Sequence, residues 1–392
     1  MPISYHWRNL FVRKTTTVMT VLVITAVVGV FAYMIGFADA LGHSLSVASD
    51  DNKLIIIKRG ATAESNSALP IDDFNKLSQL SDVARDAETG QVLVSPEMLV
   101  QVSLPRVRDG GQTNANVAVR GVTMDAFKVH KNIRVEGTVF STAEREVIVG
   151  KAAAKQFEGL QIGDSVNLGF GNDRPYKVVG YFDAEGGPME SEIWGYLPSL
   201  MNVYNRTMYS SANLRLADGA DPAKVIEQIE GPAIQLTGQT ETEYWYSQSR
   251  LMRIYLGIAY ALVVIMSLAA IFSIANTMFS VVAGRSRELA MLRTIGFSGR
   301  QILFGLVIES VMLSVLGGLF GCLACWAWLS FMGNTKDMFG ATTFTTMAFE
   351  IHMTPGQVLW ALLLVCGVGA VGALVPAIRA SRIQVVTALR EA

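Results

Sequence analysis

The sequence predicts a membrane α-helical protein: four transmembrane helices, with a large α+β extracytoplasmic domain between helices 1 and 2. Three observations carry that reading. Of the 65 charged residues in 392, 21 Lys/Arg and 28 Asp/Glu lie between Asp39 and Arg253, so that stretch is about 23% charged and the remainder about 9%. Four runs outside it are apolar over more than the ~20 residues a membrane-crossing helix needs. Lys and Arg gather at alternate flanks of those runs, the pattern that sets membrane orientation. A single soluble globule does not divide its charge this way. The near-neutral balance, with net charge −1 and no basic stripe, gives no footing for nucleic acid.

In chain order, residues 1–14 form a cytoplasmic N-terminus containing Arg8, Arg13 and Lys14. The first span is 15–38, uncharged throughout. Ala38-Asp39-Ala40 resembles a cleavage site, but the apolar run is longer than a signal peptide's, so a retained helix is expected. The polar domain is 39–253. The second span, 254–284, is uncharged, and the absence of Pro and Gly in Glu243–Arg253 predicts that its helix continues beyond the membrane as a stalk. Residues 285–300 are a basic cytoplasmic loop. The third span, 301–335, carries only Glu309; 336–352 is a short outer loop with Lys336, and the fourth span is 353–378. Residues 379–392 end the chain on the cytoplasmic side with Arg379, Arg382 and Arg390. Both termini are therefore expected inside, in a multi-pass inner-membrane protein.

The spans carry small residues at helical spacing: Ser310, Ser314, Gly317, Gly318 and Gly321 in the third, Gly369, Ala373 and Ala377 in the fourth. Such faces let helix backbones approach closely in lipid, either within one bundle or between subunits. Pro376 is expected to kink or end the fourth helix. Asn276 and Thr277 read as interhelical hydrogen bonders. Glu309 is an intramembrane acid near the cytoplasmic edge, where a structural partnership with an Arg or the backbone is favoured over a proton relay. The chain lacks a series of acids across the membrane, which argues against a proton- or sodium-driven carrier. Cys322, Cys325 and Cys366 all lie in apolar runs and read as packing thiols.

The loop reads Gly284-Arg-Ser-Arg-Glu-Leu-Ala-Met-Leu-Arg-Thr-Ile-Gly296-Phe-Ser-Gly-Arg300. Ser286–Ile295 is rich in helix formers, Gly296 stands as a C-terminal stop, and Ser298 can cap the next helix. Its core, Arg285-x-Arg-Glu-Leu-Ala-x-Leu-Arg-x-Ile-Gly-Phe-Ser, resembles the signature of ABC-transporter permeases of the MacB, lipoprotein-release and FtsX superfamily. Trp7-Arg-Asn-Leu before the first span, Gly317-Gly318-x-x-Gly321, Pro376-Ala-x-x-Ala380 and Val386-x-Ala-Leu-Arg390 are similar too, so the resemblance covers nearly the whole chain. It implies that Arg285, Arg287, Glu288, Leu289, Leu292, Arg293, Gly296 and Phe297 dock a separate ABC ATPase, with two copies of each subunit. It also implies that a second permease protomer completes the transporter, and that a periplasmic membrane-fusion adaptor and an outer-membrane channel can join it. Spans one and two would then act as rods between the ATPase and the outer domain. ATP and Mg belong on the partner: Gly150-Lys151 lacks the earlier glycine and following Ser/Thr of a phosphate cradle, so no cofactor is expected on this chain and it is expected not to be an enzyme.

The polar domain predicts strands at Lys53–Lys58, Gln91–Val94, Val117–Gly121, Glu146–Val149, Ser165–Phe170, Tyr176–Tyr181 and Ala212–Leu216, and helices at Ile71–Leu80, Lys151–Phe157 and Pro222–Ile229. Gly150–Phe157, Gly163–Val166, Val178–Phe182 and Ser191–Trp194 resemble the family's periplasmic core, with a porter-like part and a β-rich insert near 105–190. Hydrolase and metal motifs are missing; His43 and His130 read as surface residues. The expected function is export or extraction of a hydrophobic or lipid-like cargo. The alternative is an FtsX-like regulator of cell-wall hydrolases, disfavoured by the size of the domain.

Overall fold

The computed structural model describes residues 14–47, 50–107, 110–168, 175–331, 351 and 353–382. The sequence features at Trp7–Leu10, Gly169–Phe170, Lys336 and Val386–Arg390 lie outside the described residues, as do Arg8, Arg13 and most of the 336–352 loop. In chain order the elements are α1 (Lys14–Val47), β1 (Lys53–Lys58), α2 (Ile71–Leu77), β2 (Val94–Pro105), β3 (Asn114–Val122), α3 (Ala126–Val129), β4 (Arg134–Gly137) and β5 (Glu146–Gly150). Then follow α4 (Lys151–Gln156), β6 (Ser165–Val166), β7 (Tyr176–Asp183), β8 (Glu192–Tyr196), α5 (Leu197–Val203), β9 (Ser211–Arg215), α6 (Pro222–Glu230), β10 (Leu236–Thr240) and α7 (Glu241–Gln248). The chain closes with α8 (Arg250–Ala283), α9 (Ser286–Thr294), α10 (Gly299–Phe331) and α11 (Pro355–Ser381).

Two compact units result. One holds the chain up to Asp39 and the helices from Met252 onward; the other holds Ala40–Leu251. Thr17–His43, Leu256–Ala283, Gly299–Phe331 and Pro355–Ser381 are long and apolar enough to cross a membrane. The predicted uninterrupted stalk ahead of the second span is instead broken at Ser249, which caps α7 before α8 begins. Its backbone N–H turns back to Trp245 O, a stop that needs neither Pro nor Gly. Pro376 is buried inside α11 without ending it; the helix runs on to Ser381.

The small residues explain the bundle's packing. A Cβ on Gly317 would stand 2.7 Å from Ile24 Cγ2, and one on Gly321 2.8 Å from Thr25 O and from Val28 Cβ, so this edge of α10 lies directly on α1. A Cβ on Gly318 would meet Val365 Cγ1 at 2.9 Å, and one on Gly369 would overlap Ser314 Oγ, which joins α10 to α11. Ser310 Oγ donates to Gly369 O at 2.8 Å, and Ala373 and Ala377 are buried alongside. Sequence left open whether these faces pack within a chain or between chains; here they pack within one. Cys322 joins the same apolar core. Thr277 meets Thr20 across α8 and α1 at 2.7 Å. Asn276, expected to pair likewise, is exposed on α8, because its neighbours at helical spacing face away from the bundle.

The second unit is built on one continuous hydrogen-bonded path of strands, β10-β1-β9-β2-β3-β8-β5-β7-β4, with β6 on β7. β3–β8 and β5–β7 are parallel, and the remaining pairs are antiparallel. The twelve-residue β2 is the hinge of the sheet: Val94–Glu97 pair with β9, and Met98–Pro105 with β3. β1 shows why a short unbroken apolar run makes a central strand. Leu54 and Ile56 enter one core with Leu214 and Leu236, while Ile55 and Ile57 enter another with Trp194 and Trp245. Alternation of side chains at period two lets both faces be buried at once. The expected Gln91–Val94 strand is displaced: Val92 makes only a bridge to Arg85, and the strand proper starts at Val94. The expected helix to Leu80 ends at Leu77.

Candidate functional site

The loop helix α9 starts at Ser286, directly after Arg285. It stops as its sequence dictates. Gly296 takes φ +107, Phe297 N–H donates to Leu292 O at 3.1 Å and Gly296 N–H to Arg293 O at 3.2 Å, the paired bonds of a Schellman motif that a residue with a Cβ strains to make. Ser298 then caps α10 reciprocally: its N–H donates to Gln301 Oε1 at 2.8 Å, and Gln301 N–H reaches its hydroxyl at 3.4 Å.

The helix has two unlike faces. Leu289 and Ala290 are buried, Leu289 in the apolar core of the spans, and Leu292 packs against that core. Arg287, Glu288, Met291 and Ile295 are exposed, Ile295 by 71%. This corrects the sequence assignment in one respect. Leu289 is an anchor with no surface to offer a partner. Phe297 is half-buried.

Two arginines of the expected docking set face inward. Arg285 Nε donates to Glu288 Oε2 at 3.1 Å, and its Nη1 lies 3.4 Å from Glu309 Oε2 and 3.5 Å from Oε1. Glu309 is buried in α10, and this pair supplies the arginine partner that its isolation in an apolar span demanded. Arg293 Nη1 donates to Ser381 O at 2.7 Å, where the last carbonyls of α11 have no partners of their own in the helix. Arg379, on α11, stacks over Phe279 of α8 with 5.1 Å to the ring centroid. At the opposite end of the bundle, Gln357 closes a capping box with Thr354 and donates to Asp39 Oδ2 at 3.2 Å.

A second constellation, in the sheet unit, was not read from the sequence at all. Arg120 on β3 is fully buried and holds three carboxylates. It meets Glu64 through Nη1 at 2.9 Å and Nη2 at 3.0 Å, Glu192 through Nε at 2.7 Å and Nη2 at 2.8 Å, and Glu97 through Nη1 at 2.6 Å. Glu97 also meets His130 Nε2 at 2.6 Å; His130 Nδ1 lies 2.6 Å from Lys53 Nζ, which pairs with Glu241 at 2.6 Å. Trp194 donates to Glu192 at 2.8 Å, and the Ser211 hydroxyl donates to Glu64. His130, taken as a surface residue from its charged surroundings, is 1% exposed. Its partners are Glu97 of β2 and Lys53 of β1, both remote in sequence. Burial pushes the Glu97 carboxyl upward, but His130 first and then the Arg120 guanidinium hold it below the usual carboxylate range. The same cluster, with Tyr244 accepting from the Glu64 N–H at 3.2 Å, ties β1, β2, β3, β8 and the first turn of α7 together. Among the described residues, no group of three His, Cys, Asp or Glu is arranged to hold a metal ion.

Two family models match this chain in the order of its two parts. The MacB-like periplasmic core domain matches residues 15–231, and the FtsX-like permease C-terminal domain matches 260–385. An uncharacterized ABC transporter permease, YvrN, from Bacillus subtilis is 24% identical across 99% of this chain and 98% of its own length. The macrolide export ATP-binding/permease protein MacB of Bdellovibrio bacteriovorus is 21% identical over 79% of this chain, which spans only 50% of that longer protein. The crystal structure of the periplasmic region of MacB from Actinobacillus actinomycetemcomitans superimposes with a TM-score of 0.35 at 15% identity, covering 50% of this chain and 91% of that one.

Proposed function

We infer, from the premise that this chain belongs to the MacB/FtsX-type family of ABC transporter permeases, that it is the membrane subunit of an exporter driven by a separate ATPase. Hydrolysis of ATP, with its Mg, takes place on that partner, present in two copies beneath two permease protomers. The permease converts ATPase movement into movement of its large domain on the outer side of the membrane, with both chain ends inside. The cargo is hydrophobic or lipid-like, and an adaptor and an outer-membrane channel are further partners.

The observation that carries this reading is the two-faced α9. A short helix whose apolar side is sunk in the spans still exposes Met291 and Ile295 beside Arg287 and Glu288. Exposed apolar side chains rimmed by charges are the composition of a protein interface, in which the charges set partner and register. The docking set is therefore Arg287, Glu288, Met291 and Ile295. The test is a gentle detergent pull-down of the tagged full-length protein from native membranes. Wild type brings down a stoichiometric ATP-binding subunit. Glu288→Arg reverses a rim charge and lowers recovery of that subunit at least tenfold, with the permease itself recovered in full. Undiminished recovery with Glu288→Arg assigns docking to another surface.

A further inference from the structure

Resting on the ATPase-docking reading, we propose that Arg285 is a positioning residue that delivers motion of α9 into the third span, and through it into the first. In the simplest picture α9 pulls on α8, to which the chain connects it directly. The contacts point elsewhere. α8 joins α9 through the turn at Gly284–Arg285, with Arg285 N–H on Val282 O at 3.2 Å. α10 is gripped by side chains: the Arg285 guanidinium, 13% exposed, spans Glu288 on the docking rim and Glu309, 7% exposed, inside α10. At the other end of α9, Arg293 holds the last turn of α11 through Ser381 O. The loop helix is thus strapped to α10 and α11 at its two ends, with Leu289 and Ala290 buried along its length.

The next contact in the series is equally direct. α10 lies against α1 where Gly317 and Gly321 leave no room for a Cβ, and Thr25 Oγ1 donates to Gly317 O at 3.2 Å. Helices in contact at that distance slide or tilt together, because close-packed surfaces do not compress. Displacement of Glu288 by a docked ATPase moves the Arg285 side chain, which carries Glu309 and α10 with it, and α10 carries α1. The charge pair is suited to this role. An ion pair in a low-dielectric bundle is held firmly because separating it strands a buried charge, whereas an apolar contact there is as good with lipid as with protein.

The experiment compares the full permease–ATPase complex, purified with tagged wild type, Arg285→Gln, Glu309→Gln, the double variant and Arg285→Lys. The readouts are recovery of the ATPase, permease-dependent ATP hydrolysis, and hydrogen exchange in 305–325 with and without a non-hydrolysable ATP analogue. Expected are ATPase recovery within twofold of wild type for every variant, and hydrolysis reduced about tenfold in Arg285→Gln and Glu309→Gln. The double variant is expected to be no worse than either single, and Arg285→Lys to recover at least a third of the wild-type rate. The nucleotide-dependent change in exchange at 305–325 vanishes in both single variants. Should Arg285→Gln fail to fold, Glu309→Gln, which removes the charge and keeps the shape, decides the matter with Arg285→Lys. Normal hydrolysis and exchange in Glu309→Gln overturns the proposal, and so does loss of the ATPase from Arg285→Gln, which makes Arg285 a docking residue. Absence of an ATPase from the wild-type preparation is a different failure: it overturns the docking reading itself and this proposal with it.

Discussion

Arg285 in the helical unit and Arg120 in the sheet unit are both enclosed by carboxylates, yet they are spent differently. Arg285 has a path to solvent and holds one acid on the rim and one inside a span. Arg120 has no exposure at all and satisfies three acids through Nε, Nη1 and Nη2. The first arrangement ties two helices whose cohesion comes from other contacts. The second is the centre from which five elements hang. Desolvating a guanidinium is costly, and only an arrangement that supplies several short, charge-assisted bonds offsets the cost. Arg120 is held that way, so its removal is punished most.

The sharpest way to break the comparison follows from this. Arg120→Met leaves Glu64, Glu97 and Glu192 buried against an apolar side chain, an error of about 3–5 kcal/mol within a total stability of roughly 5–15 kcal/mol. The expected outcome is a sheet unit that unfolds or is cleared by proteolysis, seen as loss of the near-ultraviolet circular dichroism of Trp194 and Trp245, while the helical unit still inserts. Arg285→Met, by contrast, leaves that signal intact. Equal damage from the two substitutions erases the distinction.

Next in size is a test of what holds the helical unit in place of charge. Gly317→Leu with Gly321→Leu forces side chains into α1, where even a Cβ already stands under 3 Å from Ile24, Val28 or Thr25 O. Overpacking costs about 1–3 kcal/mol per site, so the doubly substituted protein is expected to lose several degrees of melting temperature in detergent and to yield less folded protein. Gly367→Leu, at a glycine whose added Cβ would meet nothing within 4 Å, is the control and leaves the melting temperature within a degree or two.

The same contrast explains what could be read from the sequence. Glu309 stood out because an acid in an apolar span is anomalous, and its partner could be sought among a handful of nearby arginines. Gly317 and Gly321 were legible because spacing on one helix fixes which residues share a face; which helix receives that face is a long-range fact, absent from local spacing. Arg120, Glu64, Glu97, Glu192, Lys53 and Glu241 each sit in a region where charge is ordinary, and residues 53 and 241 meet only after the sheet closes. The one visible clue was a charge set inside a strand-like apolar run. Arg120 occupies a position in Val117–Val122 where neighbours on both sides are apolar and buried, as Glu97 does beside Met98 and Leu99. A charge at a core position of a strand needs a buried partner, and two such positions on adjacent strands predict each other. β2 was missed beyond Val94 because Pro96 and Pro105 bracket it. Pro96 is tolerated because prolines fit where strand pairing changes or stops, and β2 changes partner from β9 to β3 between Glu97 and Met98.

Acid sharpens the comparison most gently, because it discharges the sheet unit without a substitution. The Glu97 carboxyl is held down to about 2 in the folded protein despite its burial, by His130 and then Arg120, against ~4.3 for an unstructured glutamate. A carboxyl with a depressed folded value takes up its proton more readily in the unfolded chain. Its contribution is therefore fully present above about pH 4.3, and drains away as the pH falls from there towards about 2. The sheet unit should hold its near-ultraviolet signal from neutral pH to about 5 and lose stability below that, steepest between about 4 and 2. Glu97→Gln removes the titrating group and flattens this part of the profile. It also lowers stability at neutral pH, since Arg120 and His130 lose their shared anion. The far-ultraviolet helical signal of the spans, whose packing rests on glycine contacts, is expected to persist across the same range. If acid unfolds both units together at one midpoint, the cluster around Arg120 is not what sets the acid limit of the sheet.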